Sequence, residues 1–351
     1  MSHRPTLVTA DAIDRWLAPG ATIIDARSEG EYAEDFIPGA VNRPVLNNEE
    51  RARVGTTNRV DSPFAARRVG APLVVRNIAD MVERHFASQP KDWSPLVYCW
   101  RGGKRSGTLT WLLREIGFDA RQLSGGYKAF RARVNSELPA LAQRHRYVTI
   151  CGCTGTGKTA LLGALTQAGA QVIDLEGLAN HRGSLLGAQE TPQPTQKHFD
   201  TLLWNALRQL DPTRPVFVES ESKKIGHLQM PDAMRAAMAA GDCVWLDVPL
   251  AARVAHIRNE YAHFVANPQA LMEKLRPLKV LRGAKLLATW QDLADRRDID
   301  ALFASLMVDH YDPLYTTAIA RNYPRLKDAR RIDLPQVAPD ALRSAAHSLV
   351  A

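Results

Sequence analysis

Short apolar runs alternate with longer stretches of helical spacing in the first third of the chain. The runs "TIID", "SPLVYCW" and "ARQL" have the length and composition of buried strands. Residues 74–88 place apolar side chains at the three- and four-residue spacing of an amphipathic helix, and "SGTLTWLLREIGF" is a second helical stretch. Because strands that alternate with helices build parallel sheets, we predict an α/β domain over residues 1–135. A short helical or linker stretch is predicted at residues 136–146.

The same alternation continues in the second part of the chain. The runs "YVTIC", "AQVIDLEG", "PVFVESES" and "DCVWLDVPL" are typical of strands, and the last two close on acidic residues. Beyond Asp247 the spacing is mostly helical to about residue 320, and "PRLKDARRIDLPQ" holds a final short strand. We therefore predict a second α/β domain over residues 147–351, with a helical C-terminal part.

A phosphate-binding loop opens the second domain. "GCTGTGKT", residues 152–159, fits the pattern G-x4-G-K-[ST] and lies between a predicted strand and a predicted helix, as the motif requires. In such a P-loop the backbone N–H groups hold phosphate oxygens, the lysine reaches a terminal phosphate and the threonine ligates Mg²⁺. The predicted phosphate-binding residues are Gly152, Gly155, Gly157, Lys158 and Thr159.

The acidic partner of this loop is left open by the sequence. Glu219, Glu221 and Asp247 all stand near strand ends, where each could hold a metal-bound water or cap a helix. We favour Glu219 or Glu221. Mg²⁺ is the ion that the motif allows, and the sequence does not decide whether ATP is bound or hydrolysed. Cys151 and Cys153 beside the loop are interpreted as small packing residues.

A single cysteine precedes a basic, glycine-rich loop in "YCWRGGKRSG", residues 98–107. Glycines let backbone N–H groups curl around one point, and the following helix adds its positive N-terminal end. Arg101, Lys104 and Arg105 add positive charge, so the loop is expected to stabilise an anion attached to sulfur. The candidate catalytic residues are Cys99, Arg101 and Arg105. The alternative is a buried strand-end cysteine beside a plain turn.

The spacing from Cys99 to Arg105 and Ser106 also matches the C-x5-R-S pattern of cysteine phosphatases. Upstream, "IIDARSEGEYAEDFIPGAVNRPV" resembles the signature of rhodanese-like domains, in which a D-x-R strand end precedes "H-I-P-G-A"; Phe36 replaces the usual histidine. The resemblance implies a rhodanese-like parallel-sheet domain followed by a P-loop NTPase-like α/β domain. Fold alone does not separate the two chemistries, since rhodanese-like domains and some phosphatases are similar in fold.

Composition and charge limit the class of protein, its partners and its cellular compartment. The 351 residues are 45% hydrophobic and 23% charged, which is ordinary for a globular protein. A net charge of +8 favours a polyanionic partner, and four cysteines are too few for a disulfide framework. The N-terminal residues lack an apolar signal core, and no stretch is apolar for long enough to span a bilayer. We therefore expect a cytoplasmic protein with no membrane partner.

The chain as a whole resembles the tRNA 2-selenouridine synthases. The resemblance runs from about residue 22 to 315, and "CWRGGKRS" and "DLEGLANHRGS" are its most specific stretches. Further matching stretches are "IPGAVNRPV", "SPFAARRVGAPLVVRNIA", "GGYKAFR", "GCTGTGKT", "ESESKKIG" and "HYDPLY". The chain departs from the family at Asn58 and Arg59, where Tyr-Lys is expected.

The resemblance implies an enzyme that acts on the wobble uridine of tRNA that already carries 2-thiouridine. Selenophosphate supplies selenium as one co-substrate, and geranyl diphosphate alkylates the sulfur as the other. Thiocarbonyl sulfur is a poor leaving group, and S-geranylation makes it a good one. The resemblance further implies a selenophosphate-producing enzyme as a partner and assigns the selenium step to Cys99.

A basic stripe is predicted for tRNA binding. Arg276, Lys279, Arg282 and Lys285 recur every third residue in "RPLKVLRGAK", so on one helix they would form a skewed basic face. An ordinary solvated face is the alternative. Tyr311 and Tyr315 are expected to pack a helix end rather than stack on bases.

Two other functions remain open at this point. One is a rhodanese-type sulfurtransferase or cysteine phosphatase fused to a P-loop kinase, which would act on small molecules without tRNA. The other is a nucleotide-sensing switch whose thiol domain only binds a partner, which would require no reactive thiol.

Overall fold

The computed structural model describes residues 6–350. Two compact units divide the chain: one runs to Leu138 and includes Pro194–Asn205, and the other takes Pro139–Gln193 and the chain from Ala206 onward. The linker predicted at residues 136–146 is helical as far as Arg144. The sequence assigns residues 194–205 to the second domain, whereas the structure packs them with the first.

The first unit is built around a parallel sheet. In the described residues the sheet has five strands in the order β1-β5-β4-β2-β3. Its strands are β1 (Leu7–Val8), β2 (Ile23–Asp25), β3 (Ala40–Asn42), β4 (Leu96–Tyr98) and β5 (Arg121–Leu123). Its helices are α1 (Glu29–Glu34), α2 (Asn48–Val60), α3 (Pro63–Met81), α4 (Lys104–Ile116) and α5 (Gly126–Arg144), with a π-helical turn at Val82–Phe86. This arrangement confirms the predicted α/β class.

The helices α2 and α3 pack against each other and lie between β3 and β4 in the chain. Asn47 caps α2 and Ser62 caps α3, with Pro63 in the first turn of α3, where its missing N–H costs nothing. No residue of α2 is buried, so its sequence lacks the apolar period that predicts a helix. The sequence therefore predicts only the later part of this pair.

The second unit also contains a parallel sheet, with the order β12-β11-β6-β8-β7 in the described residues. Its strands are β6 (Tyr147–Cys151), β7 (Gln171–Ile173), β8 (Val216–Glu219), β11 (Asp242–Asp247) and β12 (Arg330–Asp333), and β9 (Lys224–Ile225) and β10 (Leu228–Gln229) form a hairpin. The helices between β6 and β11 in the chain are α6 (Lys158–Gln167), α7 (Leu175–Ala179), α8 (Gln196–Arg208) and α9 (Asp232–Ala240). Of these, α8 belongs to the first unit as far as Asn205. Since β6, β7 and β8 are parallel, their carboxyl ends meet at one edge of the sheet.

A helical region follows β11, as predicted. Its helices are α10 (Leu250–Glu260), α11 (Ala262–Ala266), α12 (Pro268–Leu275), α13 (Lys279–Asp295), α14 (Ile299–Leu306) and α15 (Asp312–Asn322), and α16 (Pro339–Val350) ends the described chain. Trp290, Leu302 and Leu306 lie in its own apolar core. Among residues 6–350, no helix combines the length and apolar character needed to cross a bilayer.

The predicted basic stripe is not one helical face. Arg276 lies in a 3-10 turn, and Gly283, at φ 81° and ψ 164°, interrupts α13 between Arg282 and Lys285. Arg282 also turns toward His310, donating from Nε to Nδ1 at 3.0 Å and from Nη2 to the carbonyl oxygen at 2.9 Å. The prediction of a single stripe is therefore wrong, because a left-handed glycine breaks the helix that the three-residue spacing assumed.

Candidate functional site

The thiol of Cys99 lies directly after β4 and is held by a chain of hydrogen bonds. Ser106, in the first turn of α4, donates its hydroxyl to Cys99 Sγ at 3.1 Å. Gln122 Nε2 donates in turn to Ser106 Oγ at 2.9 Å and to the carbonyl oxygen of Gly102 at 2.7 Å. The sulfur is thus fixed beside the N-terminal turn of α4, whose first N–H groups have no intrahelical acceptor.

Glycines allow the loop after Cys99 to close on the turn before α5. Gly102 and Gly126 adopt φ values of 63° and 57°. A Cβ on Gly126 would lie 2.1 Å from the carbonyl oxygen of Cys99 and 2.4 Å from the nitrogen of Gly102. Tyr127 donates its N–H to the same carbonyl of Cys99 at 2.8 Å. No side chain larger than hydrogen fits at Gly126 without moving the Cys99 loop.

Arg105 does not provide a free positive charge over the thiol, contrary to the sequence-based expectation. Its guanidinium makes two bonds to the Glu31 carboxylate, at 2.6 and 3.2 Å, and Arg51 pairs with the same carboxylate at 3.0 Å. Burial disfavours the Glu31 anion, but Arg105 overcomes it and holds the pKa of Glu31 down at about 2. A bound carboxylate occupies the guanidinium fork that a cysteine phosphatase needs for its substrate phosphate. Arg101 is exposed at the surface of the loop.

A buried polar network lies behind the Cys99 loop. Asp25, which the sequence places at a strand end, receives two bonds from Arg27 Nε, at 3.0 and 3.1 Å, and one from Arg27 Nη2, at 2.6 Å. Tyr98, the residue before Cys99, donates its hydroxyl to Asp25 at 2.6 Å. Asp25, Arg27 and Tyr98 are fully buried. Removing one partner would leave a buried charge unpaired, so the network fixes the end of β4.

The segment 194–205 adds two side chains to this network, a contact that the sequence does not predict. Asp35, also fully buried, accepts hydrogen bonds from Tyr127 at 2.7 Å and Thr201 at 3.0 Å, and lies 3.1 Å from His198 Nδ1. The His198 ring packs on Phe36 with centroids 4.6 Å apart. A histidine distant in sequence therefore lies beside Phe36, which replaces the usual histidine of the rhodanese-like signature.

The P-loop has the expected strand–loop–helix setting between β6 and α6. Gly155 and Gly157 adopt φ values of 81° and 77°, and a Cβ on Gly157 would lie 2.5 Å from Val337. Lys158 begins α6 and donates from Nζ to the carbonyl oxygen of Gly152 at 3.1 Å. The Lys158 ammonium also lies 4.9 Å from the ring centre of Tyr315.

Three glutamates meet beside this loop, one of which the sequence analysis missed. Thr159 donates its hydroxyl to Glu176 at 3.0 Å, and the N–H of Glu176 donates to Glu219 at 2.8 Å. Glu219 is the last residue of β8 and Glu221 follows the strand, and each has a buried carboxylate oxygen that no described residue hydrogen-bonds. The signal for Glu176 was present in "DLEG", an acidic residue just after the neighbouring strand β7.

Asp247 does not join this cluster. Its side chain is exposed and lies 3.4 Å from Arg331 on the adjacent strand β12. The prediction of Asp247 as an acidic partner of the P-loop is not supported, because Asp247 at the end of β11 forms an ion pair with the neighbouring strand β12. Glu176, and not Asp247, is the acidic residue that contacts the P-loop threonine.

Tyr311 and Tyr315 differ in their surroundings. Tyr311 is buried, as expected of a residue that packs a helix end. Tyr315 instead contributes to the wall of a cavity of about 330 Å³ at the P-loop, which we call the P-loop cavity. Lys158, Thr159, Glu176 and Arg182 line the same cavity. The packing interpretation therefore fits Tyr311 and not Tyr315.

An apolar pocket of about 260 Å³ shares Ser184 and Tyr315 with the P-loop cavity. Leu185, Leu314, Ala318, Ile319 and Tyr323 supply most of its apolar wall, and the polar side chains in its lining are Ser184, Ser220, Glu221, Ser222, His310 and Asn322. The side chains of Leu185 and Leu314 are 46% and 50% exposed. The second unit thus places a phosphate loop next to an apolar pocket.

Burial raises the pKa values of the three glutamates. The pKa of Glu221 rises to about 8, first because of burial and next because of the neighbouring Glu176, while Lys158 opposes the rise. Burial also raises the pKa of Glu219 well above its usual range, and Asp174 adds to the effect. The cluster therefore retains protons at neutral pH that isolated glutamates would lose.

A pH dependence of stability follows from Glu221. Its folded-state pKa of about 8 exceeds the unfolded value near 4.5, so the folded protein binds more protons in between. The free energy of unfolding should fall as the pH rises from about 5 to 8, on the order of 1 kcal/mol per pH unit. Denaturant unfolding at several pH values measures this slope. Glu221→Gln should flatten it, whereas Glu273→Gln, at an exposed position on α12, should not; an equal slope in both variants would contradict the assignment.

The residues at the P-loop fit a Mg²⁺ ion of the usual P-loop kind. The hydroxyl of Thr159 and the carboxylate of Glu176 are adjacent, and Mg²⁺ in such sites uses one or two protein ligands together with substrate phosphates. In residues 6–350, no group of three or more histidine, cysteine or acidic side chains could hold a metal alone. Thr159 and Glu176 would hold the ion, which would supply positive charge to a bound diphosphate.

The other cysteines lie in the P-loop or in the sheet of the second unit. Cys151 and Cys243 are buried, as Cys99 is. Burial, and next the nearby Asp312, raise the pKa of Cys153 to about 11, so this thiol stays protonated at neutral pH. This agrees with the interpretation of Cys151 and Cys153 as packing residues.

Comparisons with known proteins identify both domains. Residues 9–133 match the rhodanese-like domain family, and residues 145–279 match the family described as the AAA domain of tRNA 2-selenouridine synthase. A solved structure of a rhodanese-related protein from Thermoplasma volcanium is 14% identical, with a TM-score of 0.24, and covers 36% of this chain and 92% of that one.

Two relatives with the same name match most of this chain. A protein of Nitrosomonas europaea named tRNA 2-selenouridine synthase is 36% identical over 250 residues, which cover 68% of this chain and 63% of that protein. A protein of Shewanella piezotolerans with this name is 35% identical over 352 residues, which cover 91% of this chain and 94% of that protein. The chain therefore belongs to the tRNA 2-selenouridine synthase family, a family of tRNA-modifying enzymes.

Proposed function

We propose that this protein converts 2-thiouridine at the wobble position of tRNA into 2-selenouridine, using geranyl diphosphate and then selenophosphate. The observation that carries the proposal is the presence of two distinct sites in one family member. One is a fixed thiol, Cys99, and the other is a phosphate loop beside an apolar pocket.

The P-loop cavity is the proposed site of geranyl transfer. The thiocarbonyl sulfur of the tRNA base attacks C1 of geranyl diphosphate, a carbon–sulfur bond forms, and the carbon–oxygen bond to diphosphate breaks. Negative charge grows on the departing diphosphate, where the backbone of the P-loop and Lys158 are placed to stabilise it. The product is S-geranylated tRNA and free diphosphate.

Selenium transfer is proposed to follow at the other site. Selenium from selenophosphate bonds to C2 of the geranylated base, the C2–S bond breaks, and geranylthiol leaves. Hydrolysis of the phosphorus–selenium bond releases phosphate and leaves 2-selenouridine. We assign the thiol of Cys99 to this step as the proton donor to the departing geranylthiolate, in a loop whose helix N-terminus favours the thiolate that remains.

Two features support this function over a phosphatase fused to a kinase. Arg105 is engaged by Glu31 and so is not poised to bind a substrate phosphate. The pocket beside the P-loop has Leu185, Leu314 and Ile319 in its wall, which suit a diphosphate with a hydrocarbon chain.

The apolar pocket gives a test of the geranyl substrate. Leu314→Glu should raise KM for geranyl diphosphate about tenfold, since a leucine side chain half removed from water contributes roughly 1–1.5 kcal/mol. Steady-state S-geranylation of a 2-thiouridine tRNA measures this value. Leu281→Glu changes a leucine that is 73% exposed and outside the pocket, and serves as the control. Equal KM values in both variants would place the hydrocarbon chain elsewhere.

The cellular test is nucleoside analysis of tRNA by mass spectrometry. Bacterial cells grown with selenium should contain 2-selenouridine when they produce this protein and only 2-thiouridine when they do not. Unchanged 2-selenouridine without the protein would contradict the proposed function. Turnover of thiosulfate or a phosphomonoester without any change in tRNA would favour the sulfurtransferase or phosphatase alternative.

A further inference from the structure

A wide cleft of about 1000 Å³ opens beside the Cys99 loop in the first unit. Its walls come from α2, α3 and the start of α4. Six basic side chains line it: Arg51, Arg59, Arg67, Arg101, Lys104 and Arg105. We call this feature the cationic cleft.

Most of the positive charge in this cleft is uncompensated. Arg51 and Arg105 share the carboxylate of Glu31. The other four basic residues are exposed, and no carboxylate in residues 6–350 lies within ion-pair distance of them; they are Arg59, Arg67, Arg101 and Lys104. Exposed cations that face a common concavity raise its potential and attract a polyanion.

The arrangement suits a polymer better than a small anion. A small phosphate is held by donors that converge on one point, whereas these cations are spread over three helices and a loop. The Phe64 side chain, in the first turn of α3, is 62% exposed, and its ring centre lies 6.0 Å from the guanidinium carbon of Arg67. A basic groove edged by an exposed aromatic ring is the usual form of a surface for single-stranded nucleic acid.

We propose that the cationic cleft binds the ribose–phosphate backbone of the tRNA around its anticodon and guides the modified base to the Cys99 loop. The proposal rests on the proposed function, since it takes tRNA as the substrate. Arg101 and Lys104 contact phosphates at one end of the cleft, which the Cys99 loop forms. Arg59 and Arg67 contact phosphates farther from the thiol. An acidic protein partner is the competing occupant and becomes an outcome of the test.

The test compares binding of an anticodon stem-loop RNA that carries 2-thiouridine across a salt series. Fluorescence anisotropy is measured for the parent, Arg59→Ala/Arg67→Ala, and the charge-retaining Arg59→Lys/Arg67→Lys. Each lost phosphate contact flattens the log–log salt slope by roughly 0.7–0.9, so the alanine variant should lose about 1.4–1.8. At about 0.15 M salt this corresponds to a roughly 15- to 30-fold weaker Kd. The lysine variant should keep the parental slope.

Lys91→Ala/Lys274→Ala is the matched control. It removes two exposed cations that do not line the cationic cleft, and the slope should stay parental. Circular dichroism and thermal unfolding show whether each variant is folded, and the lysine variant keeps the comparison valid if the alanine variant is not.

A parental slope for Arg59→Ala/Arg67→Ala would overturn the proposal. If that variant also loses binding to a selenophosphate-producing enzyme, the cleft is a protein-docking surface. If it instead loses binding of inorganic phosphate, the cleft is a small-anion site. Cellular 2-selenouridine analysis reports on the proposed function separately, so a protein that makes 2-selenouridine yet gives any of these results would refute the cleft alone.

Discussion

Cys99→Ser should abolish 2-selenouridine formation while S-geranylated tRNA continues to form. Serine keeps the size and the hydrogen bond from Ser106 but replaces a polarizable sulfur with oxygen. Because the geranyl step is assigned to the P-loop, the alkylated intermediate should accumulate. Mass spectrometry of nucleosides from a reaction with 2-thiouridine tRNA, geranyl diphosphate and selenophosphate measures both products.

Cys243→Ser is the control for the loss of a thiol. It makes the same atomic change at a buried cysteine of β11, outside the Cys99 loop, and should leave 2-selenouridine formation intact. Parental levels of 2-selenouridine with Cys99→Ser would show that the thiol has no part in selenium transfer. Loss of both products would instead indicate a failure of folding or of tRNA binding.

Lys158→Ala should slow S-geranylation by about 10²–10³-fold, the usual cost of removing one group that stabilises charge in a transition state. Since selenium is proposed to displace the S-geranyl group, 2-selenouridine should fall with it. Single-turnover rates with saturating geranyl diphosphate separate this effect from weaker binding.

Supplying tRNA that is already S-geranylated provides the internal control for Lys158→Ala. The variant should then form 2-selenouridine at the parental rate, because the Cys99 loop is unchanged. Lys274→Ala removes an exposed lysine of α12 and should not change either rate. A parental geranylation rate in Lys158→Ala would mean that the P-loop serves another ligand.

The sequence predicts what is encoded within a few consecutive residues. The P-loop and the Cys99 loop each depend on glycines and a following helix that lie within about ten residues of one another, and the structure places both as expected. The order of strands and helices follows from local apolar patterns, and α2 is missed because none of its side chains is buried.

Features that depend on contacts between distant residues were not predictable. Arg105 meets Glu31 across 74 positions, which removes the free charge that its place in the loop suggests. His198 and Thr201 reach Asp35 from more than 160 positions away. Glu176 was within a quoted motif, but only the pairing of β7 with β8 brings its strand end beside that of Glu219.

The most direct test of the central claim is a time course with the purified protein and a 2-thiouridine tRNA. With geranyl diphosphate and selenophosphate both present, S-geranyl-2-thiouridine should rise first and decline as 2-selenouridine forms. With selenophosphate alone, 2-thiouridine should remain unchanged. Formation of 2-selenouridine at the full rate without geranyl diphosphate would contradict the account.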